Sequence, residues 1–279
     1  MVHFIELCAG SAALSMSLEG NKSIISYAGS KWGYVQELLS LMKLNSNDVE
    51  HITVIDPGLW GIIHKGLVSK ARSDVVNEIN RLAEIDGRKL FDDIKPKQLL
   101  QDDTTEKCLG KRTAEALCKI AATFGGKEVG GFKGKHKHRP SVDGYIPSRH
   151  TLGKRCAELH FNKEWTVIQD CAMKISTVSS NARTVVFIDP PYKSTKGQYL
   201  NTLSRRKVVD LAERWAQVNA DVYVCENEPV AELVNVGWLT KKLQKRCGQK
   251  RKDSKTTEEW VTFRTAPVES NVSLVRQSN

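Results

Sequence analysis

Five short apolar runs recur along this chain: VHFIEL at 2–7, HITVI at 51–55, WTVIQ at 165–169, TVVFI at 184–188 and DVYVC at 221–225. Runs of this length with little polar alternation are what strands buried on both faces look like. Helical periodicity at 11–18, 32–44, 69–85, 105–123 and 204–219 fills most of the intervals. Apolar strands separated by helices imply an α/β domain with a mostly parallel sheet covered on both sides. A chain of 279 residues, 40% of them hydrophobic, is long enough for one such core and a small inserted region. No internal repeat is present, and no stretch approaches the roughly 18 apolar residues of a membrane-spanning helix.

Charge divides the chain unevenly. The whole carries 42 Lys and Arg against 32 Asp and Glu, a net +10. Two windows supply all of the excess: 127–155 with eight cations and two acids, and 241–255 with eight and one. The first is rich in Gly and His, interleaves Phe132 and Tyr145 among its charges, and reads as a flexible basic loop. Its partner is expected to be a polyanion, nucleic acid ahead of an anionic membrane. Solvated charge is the plain alternative for each window. Seven cysteines without a C-x-x-C pair argue against a disulfide framework or zinc ribbon and read as reduced thiols. The expectation is a soluble cytoplasmic protein that needs no metal.

In parallel α/β sheets, ligands bind beyond the carboxyl ends of the strands. Five such ends carry polar residues. Glu6 precedes the small-residue turn Cys8-Ala9-Gly10-Ser11-Ala12, Asp56 ends the second run, Asp170 the third, Asp189 the fourth, and Glu226 the fifth. A lone carboxylate there is commonly a turn or capping residue. Asp189-Pro190-Pro191-Tyr192 is more specific. Two prolines remove two N–H donors, so the turn presents carbonyls, a carboxylate and a flat ring to a ligand that donates from a planar amine.

With that tetrapeptide the chain resembles the S-adenosylmethionine-dependent DNA amino-methyltransferases, in particular the adenine N6 methylases. Phe4 to Ser15 (FIELCAGSAALS) looks like the family's cofactor motif, and Tyr27 to Tyr34 (YAGSKWGY) is similar to its glycine and lysine segment. The resemblance covers Phe4 to Asp56 and Trp165 to about Phe263. It departs in two places: Gly10-Ser11-Ala12 replaces the usual G-x-G, and the glycine and lysine segment follows the first strand instead of preceding it. The resemblance implies a Rossmann-like class I methyltransferase fold. It also implies catalysis by Asp189, Pro190, Pro191 and Tyr192, and cofactor contacts from Glu6, Cys8, Gly10, Tyr27, Lys31, Asp56 and Asp170. The displaced segment leaves Lys31 as either a ligand or the start of a helix.

On this reading residues 1–87 and 156–279 form the catalytic core, and 88–155 is an inserted target-recognition region. Lys133, Lys135, Lys137 and Arg139 are the expected DNA contacts, gripping phosphates rather than reading bases, so a short or degenerate target site is expected. The target base must be flipped from the helix stack, with Tyr192 stacking on it. Double-stranded DNA in a bacterial cell or phage-infected host is the expected substrate, with single-stranded DNA or RNA as variants. The alternatives are cytosine N4 methylation, or an inactive nucleic-acid-binding protein of methyltransferase-like fold. A nicotinamide dehydrogenase is a further option, but no convincing G-x-G-x-x-G is present.

Overall fold

A computed structural model describes residues 1–25, 30–101, 106–134, 144–177, 182–192, 199–244 and 258–267. Its centre is a seven-stranded mixed sheet in the order β3-β2-β1-β4-β5-β7-β6. The five apolar runs form β1 (Val2–Leu7), β2 (Val49–Ile55), β3 (Glu164–Ile168), β4 (Arg183–Ile188) and β5 (Asp221–Glu226), all parallel. β6 (Leu239–Leu243) and β7 (Glu259–Arg264) complete the sheet, with β7 antiparallel to both β5 and β6. The chain crosses from β2 and β3 on one side of β1 to β4 and β5 on the other, so a switch point lies between β1 and β4.

The two faces of the sheet are covered differently. Phe4, Ile52, Val54, Val185 and Phe187 face a large core built with α1 (Ala13–Leu18), α2 (Val35–Leu41), α3 (Leu59–Val68) and α4 (Arg72–Ala83). Ile5, Leu7, Val186, Ile188 and Val222 alternate to the other face. The segment 88–155 completes the first core rather than hanging from it. After α5 (Gly87–Asp93) and α6 (Pro96–Gln101), α7 (Glu106–Ala121) and α8 (Arg149–Ala157) pack on α3 and α4, and Leu117, Ile120 and Leu152 join the cluster of Phe4. On the second face α9 (Arg205–Gln217) lays Val208, Leu211 and Trp215 over the strands, and α10 (Ala231–Val234) adds Leu233.

One sequence expectation needs correction, and some elements were not anticipated. The basic window 127–155 is not simply a loop. Glu128, Tyr145, Arg149 and Leu152 within it are buried, the Arg149 guanidinium donates to the Leu82 carbonyl, and α8 occupies its end. Helix α3 has no counterpart in the sequence reading, because LWGIIHKGLV is buried almost all round and shows no polar stripe. Gly61 within it passes so close to the second strand that a Cβ there would stand 2.2 Å from the Asp56 carbonyl oxygen. Strand β6 was hidden by its own composition: LTKKL is an exposed edge strand whose lysines suit a sheet margin. Among the described residues, no helix is long and apolar enough to cross a membrane.

Candidate active site

Strand register assembles the site. Leu7 pairs with Ile55 on one side and Ile188 on the other, so the next residues, Cys8, Asp56 and Asp189, leave the sheet in one row. Three bonds hold that row: Ala9 N–H to the Ile55 carbonyl (3.3 Å), Asp189 N–H to the Leu7 carbonyl (3.1 Å) and Asp56 N–H to the Ile168 carbonyl (3.1 Å). A cleft of about 120 Å³ opens above it. Its walls are Cys8 and Gly10 after β1, Asp56, Pro57 and Gly58 after β2, Cys171 and Ala172 after β3, and Asp189 and Pro191 after β4. Glu128 and the segment Tyr199, Asn201, Thr202 and Leu203 close it.

The turn after β1 is wound tightly. Cys8, Gly10 and Ala12 all have positive φ (56°, 48° and 45°), a conformation that L side chains adopt at a cost. Ala12 thus occupies a left-handed position that favours glycine. Gly10 is clamped from both sides: its N–H donates to Asp56 Oδ2 (3.0 Å), and its carbonyl accepts from His64 Nε2 (2.8 Å). Burial pushes the His64 imidazole down to about 4, so the ring is neutral and carries the donated proton on Nε2. His64 lies in α3, which explains why sequence periodicity did not single it out.

The N-termini of α1 and α3 are already occupied by carboxylates. Glu6 is buried beneath the β1 turn and accepts from Ser15 N–H (2.9 Å) and Ser15 Oγ–H (2.6 Å) at the start of α1. Burial raises its carboxyl to about 7, against the pull of those bonds. Helix α3 has Gly58 as its N-cap and no side-chain cap of its own; Glu128 Oε1 accepts from Leu59 N–H (2.7 Å) in that place. Glu128 Oε2 accepts from Leu200 N–H (3.2 Å), tying the cleft wall to the same carboxylate. Asp56 accepts from Gly58 N–H (2.8 Å) and is raised to about 7 by burial and by the charge of Glu128. Glu128 stood in the sequence as one acid inside a basic window, with nothing to set it apart.

Lys31 and Asp189 form the electrostatic centre. The Lys31 ammonium, 3% exposed, lies 2.8 Å from Asp189 Oδ1 and 3.9 Å from Glu259 Oε2 on β7. It is not among the cleft-lining residues; its ammonium is paired with the Asp189 carboxylate. Its charged form is held by those acids despite burial. Asp189 is raised to about 6 by burial, opposed first by the Lys31 charge. The Tyr192 hydroxyl donates to Glu259, its ring centroid lies 4.9 Å from the Lys31 nitrogen, and Cys225 Sγ is 3.6 Å from the hydroxyl. Asp189 is therefore ion-paired and also open to the cleft.

The other expected residues are placed as follows. Cys8 lines the cleft, its thiol pushed well up by burial and by Asp56 and Asp189. Asp170 does not line it; its carboxylate accepts from Cys171 N–H (2.6 Å) and pairs with Lys174 (2.9 Å) at the surface. Lys133 is half-buried beside the bridge between Thr123 and Phe132 and is not a lining residue. Tyr27, Lys135, Lys137 and Arg139 lie outside the described residues. Among the described residues no cluster of His, Cys, Asp and Glu is arranged to hold a metal, and the six cysteines are free thiols.

A scan against protein-family models matches none, and a search of curated proteins finds no match.

Proposed function

We propose that this chain is an S-adenosylmethionine-dependent methyltransferase acting on an exocyclic amino group of DNA, with adenine N6 as the target. The observation that carries this reading is the position of Asp189-Pro190-Pro191-Tyr192. The turn follows the strand beside the switch point, and its Asp189 and Pro191 form a wall of a cleft that the β1 and β2 turns also border. The strand order supports the Rossmann-like part of the reading.

The donor set fits the cofactor. Asp56, Glu128 and Asp189 line the cleft, and among the described residues no Lys, Arg or His does. The N-termini of α1 and α3 are filled by Glu6 and Glu128, so neither is free for a pyrophosphate. This weighs against a dinucleotide and favours a nucleoside ligand that brings positive charge and hydroxyl donors. Asp56 and Glu128 would accept from ribose hydroxyls, and Gly10 with Cys8 would border the amino-acid end. Bound there, S-adenosylmethionine supplies an electrophilic methyl group.

The chain's own residues then have to orient the amine. An aromatic amine is a weak nucleophile because its lone pair is delocalised into the ring. Asp189 and the Pro190 carbonyl, as acceptors, would draw its two hydrogens out of the ring plane and free the lone pair. This is electrostatic preorganisation with orientation. Lys31 favours the ionised form of Asp189 in a buried setting and fixes its Oδ1. Tyr192 is anchored by Glu259, which holds its ring as a stacking surface for the flipped base.

Incubating duplex DNA with methyl-labelled S-adenosylmethionine tests the proposal. Label should enter DNA with the unaltered protein and fall by at least roughly a hundredfold with Asp189→Asn. Equal labelling by both proteins would overturn the assignment.

A further inference from the structure

The β1 turn is a cleft wall that its own residues do not hold in shape. Left-handed backbone is costly for Cys8 and Ala12, and for Gly10 it is one conformation among several. Gly10 lines the cleft, and both of its peptide groups are fixed from elsewhere: Asp56 accepts from its N–H (3.0 Å), and His64 Nε2 lies 2.8 Å from its carbonyl oxygen. A carbonyl only accepts, so the imidazole is the donor. His64 is 1% exposed and stacks on Trp60, one turn earlier in α3, with ring centroids 5.6 Å apart and planes at 23°. Its neighbours in that helix, Ile62, Ile63 and Leu67, are buried and apolar. A leucine would fill such a position without the cost of desolvating a polar ring. Asp189 is held separately, its N–H by the Leu7 carbonyl and its carboxylate by Lys31.

On the methyl-transfer reading, on which this inference rests, we propose that His64 is a positioning residue for the cofactor: it fixes the plane of the Gly10–Ser11 peptide and so keeps the wall that S-adenosylmethionine meets in its binding shape. Without that donor, glycine lets the peptide rotate, and relief of the strain at Cys8 and Ala12 favours the rotation. Part of the binding free energy then goes into restoring the turn, which weakens the methyl donor and its demethylated product alike. Methyl transfer itself is set on the Asp189 side of the cleft, so it proceeds once the ligand is bound.

Steady-state kinetics and calorimetry with His64→Leu and His64→Gln test this. Leucine removes the donor and keeps an apolar side chain, whereas glutamine places an amide N–H near the position of Nε2. His64→Leu should raise the KM and the dissociation constant for S-adenosylmethionine about tenfold, weaken S-adenosylhomocysteine by a similar factor, and leave kcat within about threefold. His64→Gln should recover most of the affinity. Equal affinity losses in the two variants would overturn the inference and reduce His64 to a packing residue, while leaving the methyl-transfer reading intact. A leucine variant that kept its affinity, or lost kcat instead, would overturn it too. A second measurement needs no variant: in the unaltered protein the nitrogen NMR signal of His64 Nε2 should move on saturation with S-adenosylmethionine while keeping the pattern of a neutral ring. A signal indifferent to the ligand would contradict the proposal. Binding of neither ligand by the unaltered protein would sink the methyl-transfer reading and the inference with it.

Discussion

The ammonium of Lys31 stands 2.8 Å from Asp189 Oδ1, so the carboxylate proposed to bind the target amine shares its buried site with a fixed positive charge. The pair links the short helical turn Lys31–Gly33 to the end of β4. Removing one partner of such a pair leaves the other charge buried and uncompensated.

Lys31→Met should accordingly cost about 3 kcal/mol of folding stability, read from urea unfolding. Methyl transfer should fall by roughly a hundredfold in kcat, because Asp189 loses both orientation and ionisation. Cofactor affinity should change less, since Lys31 is not a lining residue of the cleft. A variant that lost cofactor binding and kept kcat would show that Lys31 is a cofactor ligand after all.

The pH profile carries a second expectation. Asp189 must be ionised to accept a hydrogen from the amine, and its carboxyl is raised to about 6 by burial. Activity should therefore fall as pH drops through about 6. The Lys31 charge opposes that rise, so Lys31→Met should move the acid limb upward. A limb left in place by that variant would separate it from Asp189.

Tyr192 has two separable parts. Its hydroxyl donates to Glu259, and on the proposed reading its ring stacks on the base. Tyr192→Phe should retain most activity and lower stability by about 1 kcal/mol. Tyr192→Ala should lose stacking worth roughly 1 to 3 kcal/mol, seen as a higher KM for DNA. Equal kinetic losses in the two variants would show that the hydroxyl, not the ring, matters.

Asp56 predicts how the ligand-free protein responds to pH. Its carboxyl rises from 3.8 to about 7 on folding, so between these values the folded state binds more protons than the unfolded one. Stability contributed by the protonated group is present at low pH and is lost as pH rises through that window. Asp56→Asn should show a drop in thermal midpoint between about pH 5 and pH 8 that is several degrees smaller than in the unaltered protein. Parallel curves for the two proteins would show that Asp56 does not titrate in the window.

The five parallel strands were legible because their apolar runs are continuous, and the row of Cys8, Asp56 and Asp189 follows from strand ends alone once Leu7, Ile55 and Ile188 are in register. Helix α3 was not, because a helix buried on nearly every side has no amphipathic period. His64 and its clamp on Gly10 were lost with it. Glu128 was illegible for another reason: its partners Leu59 and Leu200 lie about seventy residues away on either side, and nothing local marks such a contact. Lys31 was found by pattern, but its position against Asp189 depends on the packing of the Lys31–Gly33 turn against the sheet, which spacing does not encode.

The most direct measurement is nucleoside-resolved mass spectrometry of random-sequence duplex DNA treated with the protein and S-adenosylmethionine. The account predicts N6-methyldeoxyadenosine with the unaltered chain and its loss with Asp189→Asn. Finding methylcytosine instead, or no methylated nucleoside from a folded protein, would contradict it.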